Sequence, residues 1–128
     1  MARYLGFPAV LRLQESTQSG DYTMTGSWSA VFSYELAIPW LFARGVIDLS
    51  NMVAGDVVHV RTSTINESGG SYIVLDEMKP FYGVQSTGHK EITLGAIPNT
   101  YGVKIEMYQS VVAASYIVVP CYFFYARR

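Results

Sequence analysis

The segment DVVHVRTSTINESGGSYIVLDEM, Asp56 to Met78, decides the fold class. In its first part Val58, Val60, Thr62 and Thr64 alternate with Val57, His59, Arg61 and Ser63. A period of two with many β-branched residues describes a strand on a pleated surface, because such side chains keep their preferred rotamers there. NESGG then supplies a polar, glycine-bearing connection, and SYIVLDEM resumes an extended apolar run. The whole reads as a β-hairpin.

The same period recurs on both sides of this hairpin. In YGVKIEMYQ, Tyr101, Val103, Ile105 and Met107 oppose Lys104, Glu106 and Tyr108, the pattern of a half-buried strand. Further strands are expected at Ala9–Gln14, Trp28–Leu36, Arg44–Leu49 and His89–Leu94, with a last one inside SYIVVPCYFFYARR, Ser115 to Arg128. NMVAGD, Asn51 to Asp56, is a turn in which Gly55 can take positive φ; NMVA offers at most one helical turn. SVVAAS joins the Tyr101 strand to the last one. About eight short strands without a convincing helix predict an antiparallel β-sandwich. A jelly-roll-like arrangement is favoured and an immunoglobulin-like one is the alternative, since strand order does not follow from strand count. One domain over residues 1–128 is expected.

Composition bears on partners. The chain has 128 residues, of which 50% are hydrophobic and 15% charged, against roughly 25% charged in an average domain. A net charge of −1 gives no long-range pull on nucleic acid or an anionic membrane, and Arg127-Arg128 reads as a solvated tip. The opening MARYLGFPAVLRLQ is too short and interrupted for a signal peptide, so synthesis and retention in a cytoplasm, or release outside the secretory route, is expected. On that expectation the sequon Asn66-Glu67-Ser68 carries no weight. LAIPWLFA, Leu36 to Ala43, is too short to cross a membrane as a helix. The single Cys121 excludes an intrachain disulfide and reads as a small buried hydrophobe.

Catalytic patterns are wanting. His59 and His89 have no ligand-spaced companions, and each reads as a strand residue. Adjacent Asp76 and Glu77 point to opposite faces of a strand and do not form a glycosidase pair. Asp48 and Asp56 flank a turn and read as loop caps; no D-x-D-x-D cluster supports calcium. Serines lack the G-x-S-x-G setting, and Gly69-Gly70 is a turn pair. No cofactor, no metal and no enzymatic activity is expected.

The apolar surplus points to assembly. In the last strand Tyr116, Val118, Pro120, Tyr122 and Phe124 form one face, and Ile117, Val119, Cys121, Phe123 and Tyr125 the other. A two-layer sandwich gives each strand one core face, so the second asks for cover. VFSYELAIPWLFARG and Val111-Val112 show the same excess. A homo-oligomer covers such surface economically. Its candidate contact residues are Phe32, Trp40, Phe42, Val119, Tyr122, Phe123, Phe124 and Tyr125, with polar loops such as Ser63–Ser71 facing solvent or a host surface. The competing use of the aromatics is a sugar-stacking platform from Trp28, Trp40, Tyr72, Tyr82, Tyr108 and Tyr122.

GVIDLSNMVAGDVVHVRTSTINESGGSYIVLDEM, followed by IPNTYGVKIEMYQS, resembles small all-β proteins that viruses and proviruses of prokaryotes encode among their structural genes. The shared pattern is Ile47-Asp48-Leu49-Ser50, Gly55-Asp56, Ser71-Tyr72, Asp76-Glu77, Ile97-Pro98 and Tyr101-Gly102, within Gly45 to Phe124. These are mostly strand and turn residues. The resemblance implies a virion protein, a capsid decoration (cement) or minor capsid component, commonly a sandwich trimer bound to the major capsid protein or other virion proteins. It carries over no catalytic residue.

Overall fold

The computed structural model describes residues 12–127, so the Ala9–Leu11 part of the first expected strand, and Arg128, lie outside the described residues. Nine strands run through the described part: β1 Arg12–Glu15, β2 Gly20–Thr23, β3 Ser29–Asp48, β4 Val57–Ile65, β5 Ile73–Glu77, β6 Phe81–Tyr82, β7 Glu91–Leu94, β8 Ile97–Val111 and β9 Val118–Arg127. The described residues contain no helix. Every pairing is antiparallel, in the order β1-β9-β3-β8-β4-β5, with β2 on β9, β6 on β4 and β7 on β3.

The expected hairpin forms as read, β4 pairing with β5 through Arg61–Thr64. Gly69 at its tip has φ of 73°, a left-handed conformation that costs glycine little. The alternation in β4 and β8 holds in part, since Ser63 and Glu106 on the expected open face are buried and Tyr101 is only half-buried. Val58, Val60, Val103, Ile105 and Met107 are buried, while Val57, His59, Arg61, Lys104 and Tyr108 are half-buried on the opposite face.

The main departure is β3. Two expected strands, Trp28–Leu36 and Arg44–Leu49, are the ends of one 20-residue strand. Its first half pairs with β8 from Ser29 to Glu35; its second pairs with β9 from Leu41 to Ile47 and with β7 from Gly45 to Asp48. Ten residues of straight strand span about 33 Å. Phe32 and Phe42 are ten apart, yet their ring centroids lie 5.4 Å from each other. The strand therefore folds back on itself.

The fold-back is an irregular bulge. Between the pairs Glu35↔Gly102 and Trp40↔Thr100, β3 advances five residues while β8 advances two, and Ala37, Ile38 and Pro39 stand out in solvent. Pro39 is tolerated there because an outward bulge needs no N–H from it. Two layers result, a sandwich closed along one side by β3. One holds most of β8, with β4, β5, β6 and the first half of β3; the other holds β9, β1, β2, β7 and the second half, with which the start of β8 also pairs through Thr100 and Ile97. The core joins them, with Phe32 packed on Phe42 and on Phe123 at 5.0 Å between centroids. A second departure is His89, which lies in a turn before β7 and is held there by its Nδ1 to Ser86 Oγ contact of 3.0 Å.

Candidate assembly surfaces

The core face of β9 is Val119, Cys121 and Phe123, all fully buried. Burial pushes the Cys121 thiol up to about 12, with the Asp21 and Asp48 carboxylates acting in the same sense, so the thiol is protonated at neutral pH. Of the eight candidate contact residues, Phe32, Trp40, Phe42, Val119 and Phe123 are spent in this chain's own core and have no surface to offer a neighbour. Trp40 packs against Phe32, Tyr34 and Tyr125. Tyr122 is exposed, and Phe124 and Tyr125 are half-buried. Counting faces along the sequence credits both strands with one core face, but the fold-back of β3 sends both its halves inward and absorbs the surplus.

Besides the single side chains Leu13 and Ile38, three apolar regions stay outside among the described residues. The first is the outer face of β9, with Val118 and Tyr122 exposed. The second is one end of the sandwich, where three loops meet. Val57 pairs with Tyr82 on one side and Val111 on the other, and the loops carry exposed Val53, Val84, Val112 and Tyr116. Exposed apolar side chains gathered in this way are what mark a contact surface or a liability.

This end is pinned from below by one buried carboxylate. Asp56 Oδ1 accepts from Gln109 Nε2 at 2.9 Å and from the Ala113 N–H at 3.0 Å, and its Oδ2 accepts from the Val53 N–H at 2.9 Å. Its carbonyl accepts from Gly83 N–H at 2.8 Å, and Gln109 Oε1 accepts from Ile117 N–H at 3.0 Å. The cap expected of Asp56 is thus one part of a cluster that ties three loops together. Gln109 is the partner sequence reading missed, because a glutamine at the end of a strand carries no signal of its own. Asp48 caps its turn as expected, accepting from Ser50 N–H at 2.9 Å.

The third region is β5, exposed along its whole length.

The proposed sugar platform does not form as a unit. Trp40 is buried, and Tyr82 and Tyr122 lie on different layers. Trp28 and Tyr108 do meet, edge to face at 4.5 Å, on the outer face of β4 and β8. Around them His59 stacks on Tyr108 at 4.3 Å, and Arg61 lies 4.2 Å over the Trp28 ring while bonding Glu106 at 2.9 Å. His59 Nε2 meets Ser110 Oγ at 2.7 Å and Arg61 Nε bonds Glu106, so these contacts stitch β4 to β8. Among the described residues, no three His, Cys, Asp or Glu gather as around a metal ion.

Comparison with solved structures finds the same sandwich elsewhere. A structure of the infectious bursal disease virus Gx strain superposes with a TM-score of 0.57 at 16% identity, covering 91% of this chain and 31% of that one. A crystal structure of the infectious bursal disease virus VP2 subviral particle matches with a TM-score of 0.57 at 17% identity, covering 91% and 32%. The fold is one that virus particles use. This chain spans about a third of the length of those proteins, and at such identity the likeness is one of fold. It falls on a virus other than the prokaryotic ones that the sequence resemblance implied. No family model and no curated protein matches the chain.

Proposed function

We propose that this chain is a single-domain structural protein of a virus particle, docking on other virion proteins through apolar surface rather than charge. The observation that carries the reading is the match of 91% of the chain to the sandwich of the VP2 subviral particle. Physical support comes from the loop end, whose exposed side chains are apolar or neutral and whose one acid, Asp56, is buried. A rigid uncharged patch loses little conformational entropy on docking and needs no counter-charge on its partner.

The finer role is that of a decoration or minor capsid component, made in the cytoplasm of the infected cell. Trimeric association is the count that the sequence resemblance implies, and the outer face of β9, with Tyr122 and Phe124, is the part of the contact set left to serve it. An antiserum against the chain, applied to particles sedimented from cells that make it, is expected to label the particle fraction. Label confined to the soluble fraction would overturn the proposal.

A further inference from the structure

Among the described residues, strand β5 has a hydrogen-bonded neighbour, β4, on one side only, and the sheet path ends with it. Its Ile73, Val74 and Leu75 are 59%, 50% and 58% exposed. Natural edge strands are blunted with lysine, proline or inward-pointing charge. Here Asp76, Glu77, Lys79 and Pro80 come only after the apolar triplet.

The edge also borders the open side of the sandwich. The pairs Ser63↔Val74 and Thr62↔Asp76 leave Leu75 as an extra bulged residue. A bulge turns two successive side chains to one side, and Leu75 and Asp76 accordingly both line a groove of about 320 Å³. Across from them stand Thr93, Leu94 and Ile97, from β7 and the start of β8, with Phe42 in the lining. The groove thus reaches down to the core between the β5 and β7 edges. Ile73, paired with the buried Thr64, lies on this same inner side.

We propose that a second copy of this chain covers this opening, β5 pairing antiparallel with β5 of its partner about a two-fold axis centred on Val74. An antiparallel strand pair is self-complementary under two-fold rotation, so one edge satisfies its own twin. Centring on Val74 sets Ile73 of each copy against Leu75 of the other and lays it over the groove. Asp76 and Glu77 then fall opposite Tyr72 and Ser71. A parallel, in-register pair would instead set each acid against itself, which is repulsive. The contact is small beside the roughly 800 Å² per partner of a standard interface, so it forms in a concentration-dependent way. It goes beyond the virion role and is independent of it: the pair forms in solution whether or not the chain joins a particle.

Cross-strand partners stand about 5 Å apart at Cβ, close enough for a disulfide. Val74→Cys is expected to give a covalent dimer under mild oxidation, with buried Cys121 silent in the unsubstituted chain. Glu77→Cys, about 20 Å from its own symmetry mate in this register, is expected to stay monomeric on a non-reducing gel. No cross-link at Val74→Cys, or equal cross-linking at both positions, would overturn the two-fold register. Independently, the double variant Ile73→Lys, Leu75→Lys should halve the mass measured by light scattering at high concentration, with the melting temperature of the subunit unchanged. An unaltered mass would overturn the contact.

Discussion

Strands β9 and β5 are both rich in apolar residues, and they meet opposite fates. β9 lies between β3 on one side and β1 and β2 on the other, and it sends Val119, Cys121 and Phe123 into a closed core. Among the described residues β5 has a single neighbour, and all five of its own residues remain exposed. Composition does not separate them. What differs is the number of flanking strands and the presence of an opposite layer, both of which depend on where the chain goes afterwards. The lesson is that an apolar strand signals burial only when it has neighbours on both sides.

The sharpest way to break this contrast is to truncate one side chain in each strand. Phe123→Ala is expected to cost about 4 kcal/mol by denaturant unfolding, because it opens a cavity among Phe32, Gly45 and their neighbours. Ile73→Ala should change the stability of the subunit by less than about 0.5 kcal/mol. Comparable losses at both positions would mean that β5 is buried in solution. Next in size, Asp56→Ala leaves the Val53 and Ala113 N–H groups and the Gln109 amide without their acceptor. A loss of about 3 kcal/mol is expected, with faster hydrogen exchange across the loop end and little change in β5.

The thiol in β9 provides a test that varies with pH. Its ordinary value of 9.0 is raised by burial to about 12 in the folded chain. An unfolded chain therefore releases this proton first as pH rises. The stability that Cys121 contributes is complete below about pH 9 and is lost progressively toward about pH 12. Cys121→Ala should flatten that alkaline fall in the unfolding midpoint; an unchanged slope would mean that tyrosines alone set it. The smallest effect is expected on the outer face. Arg61→Ala removes a partly exposed ion pair and a cation–π contact, at about 1 kcal/mol and less in high salt.

Legibility in the sequence followed how local the cause was. β4, β8 and the hairpin to β5 were readable because period-two alternation and a glycine turn sit within a few residues. The fold-back in β3 was not: residues 37–43 are left between two expected strands, whereas they lie inside one, with Pro39 in an outward bulge. That single misreading explains why Phe32, Trp40 and Phe42 look like surplus in sequence and are core in the structure. The Asp56–Gln109 bond joins residues 53 positions apart, so only the cap on the near side could be foreseen. The assembly surfaces that remain, at β5 and the loop end, owe their exposure to missing neighbours, and a one-dimensional pattern does not encode those.

The fold-back of β3 has a consequence for how the molecule comes apart. β3 belongs to both layers, and β8 follows it across the bend through Trp40↔Thr100 and Phe42↔Ile97, so neither layer can detach while the other stays whole. Most of the pairing is also between distant parts of the chain, such as Ser29 with Met107 and Gly20 with Cys121. Folding must wait for such closures and is expected to take milliseconds to seconds. Once the bend is set, the two layers are expected to unfold together and not one after the other, in a single transition.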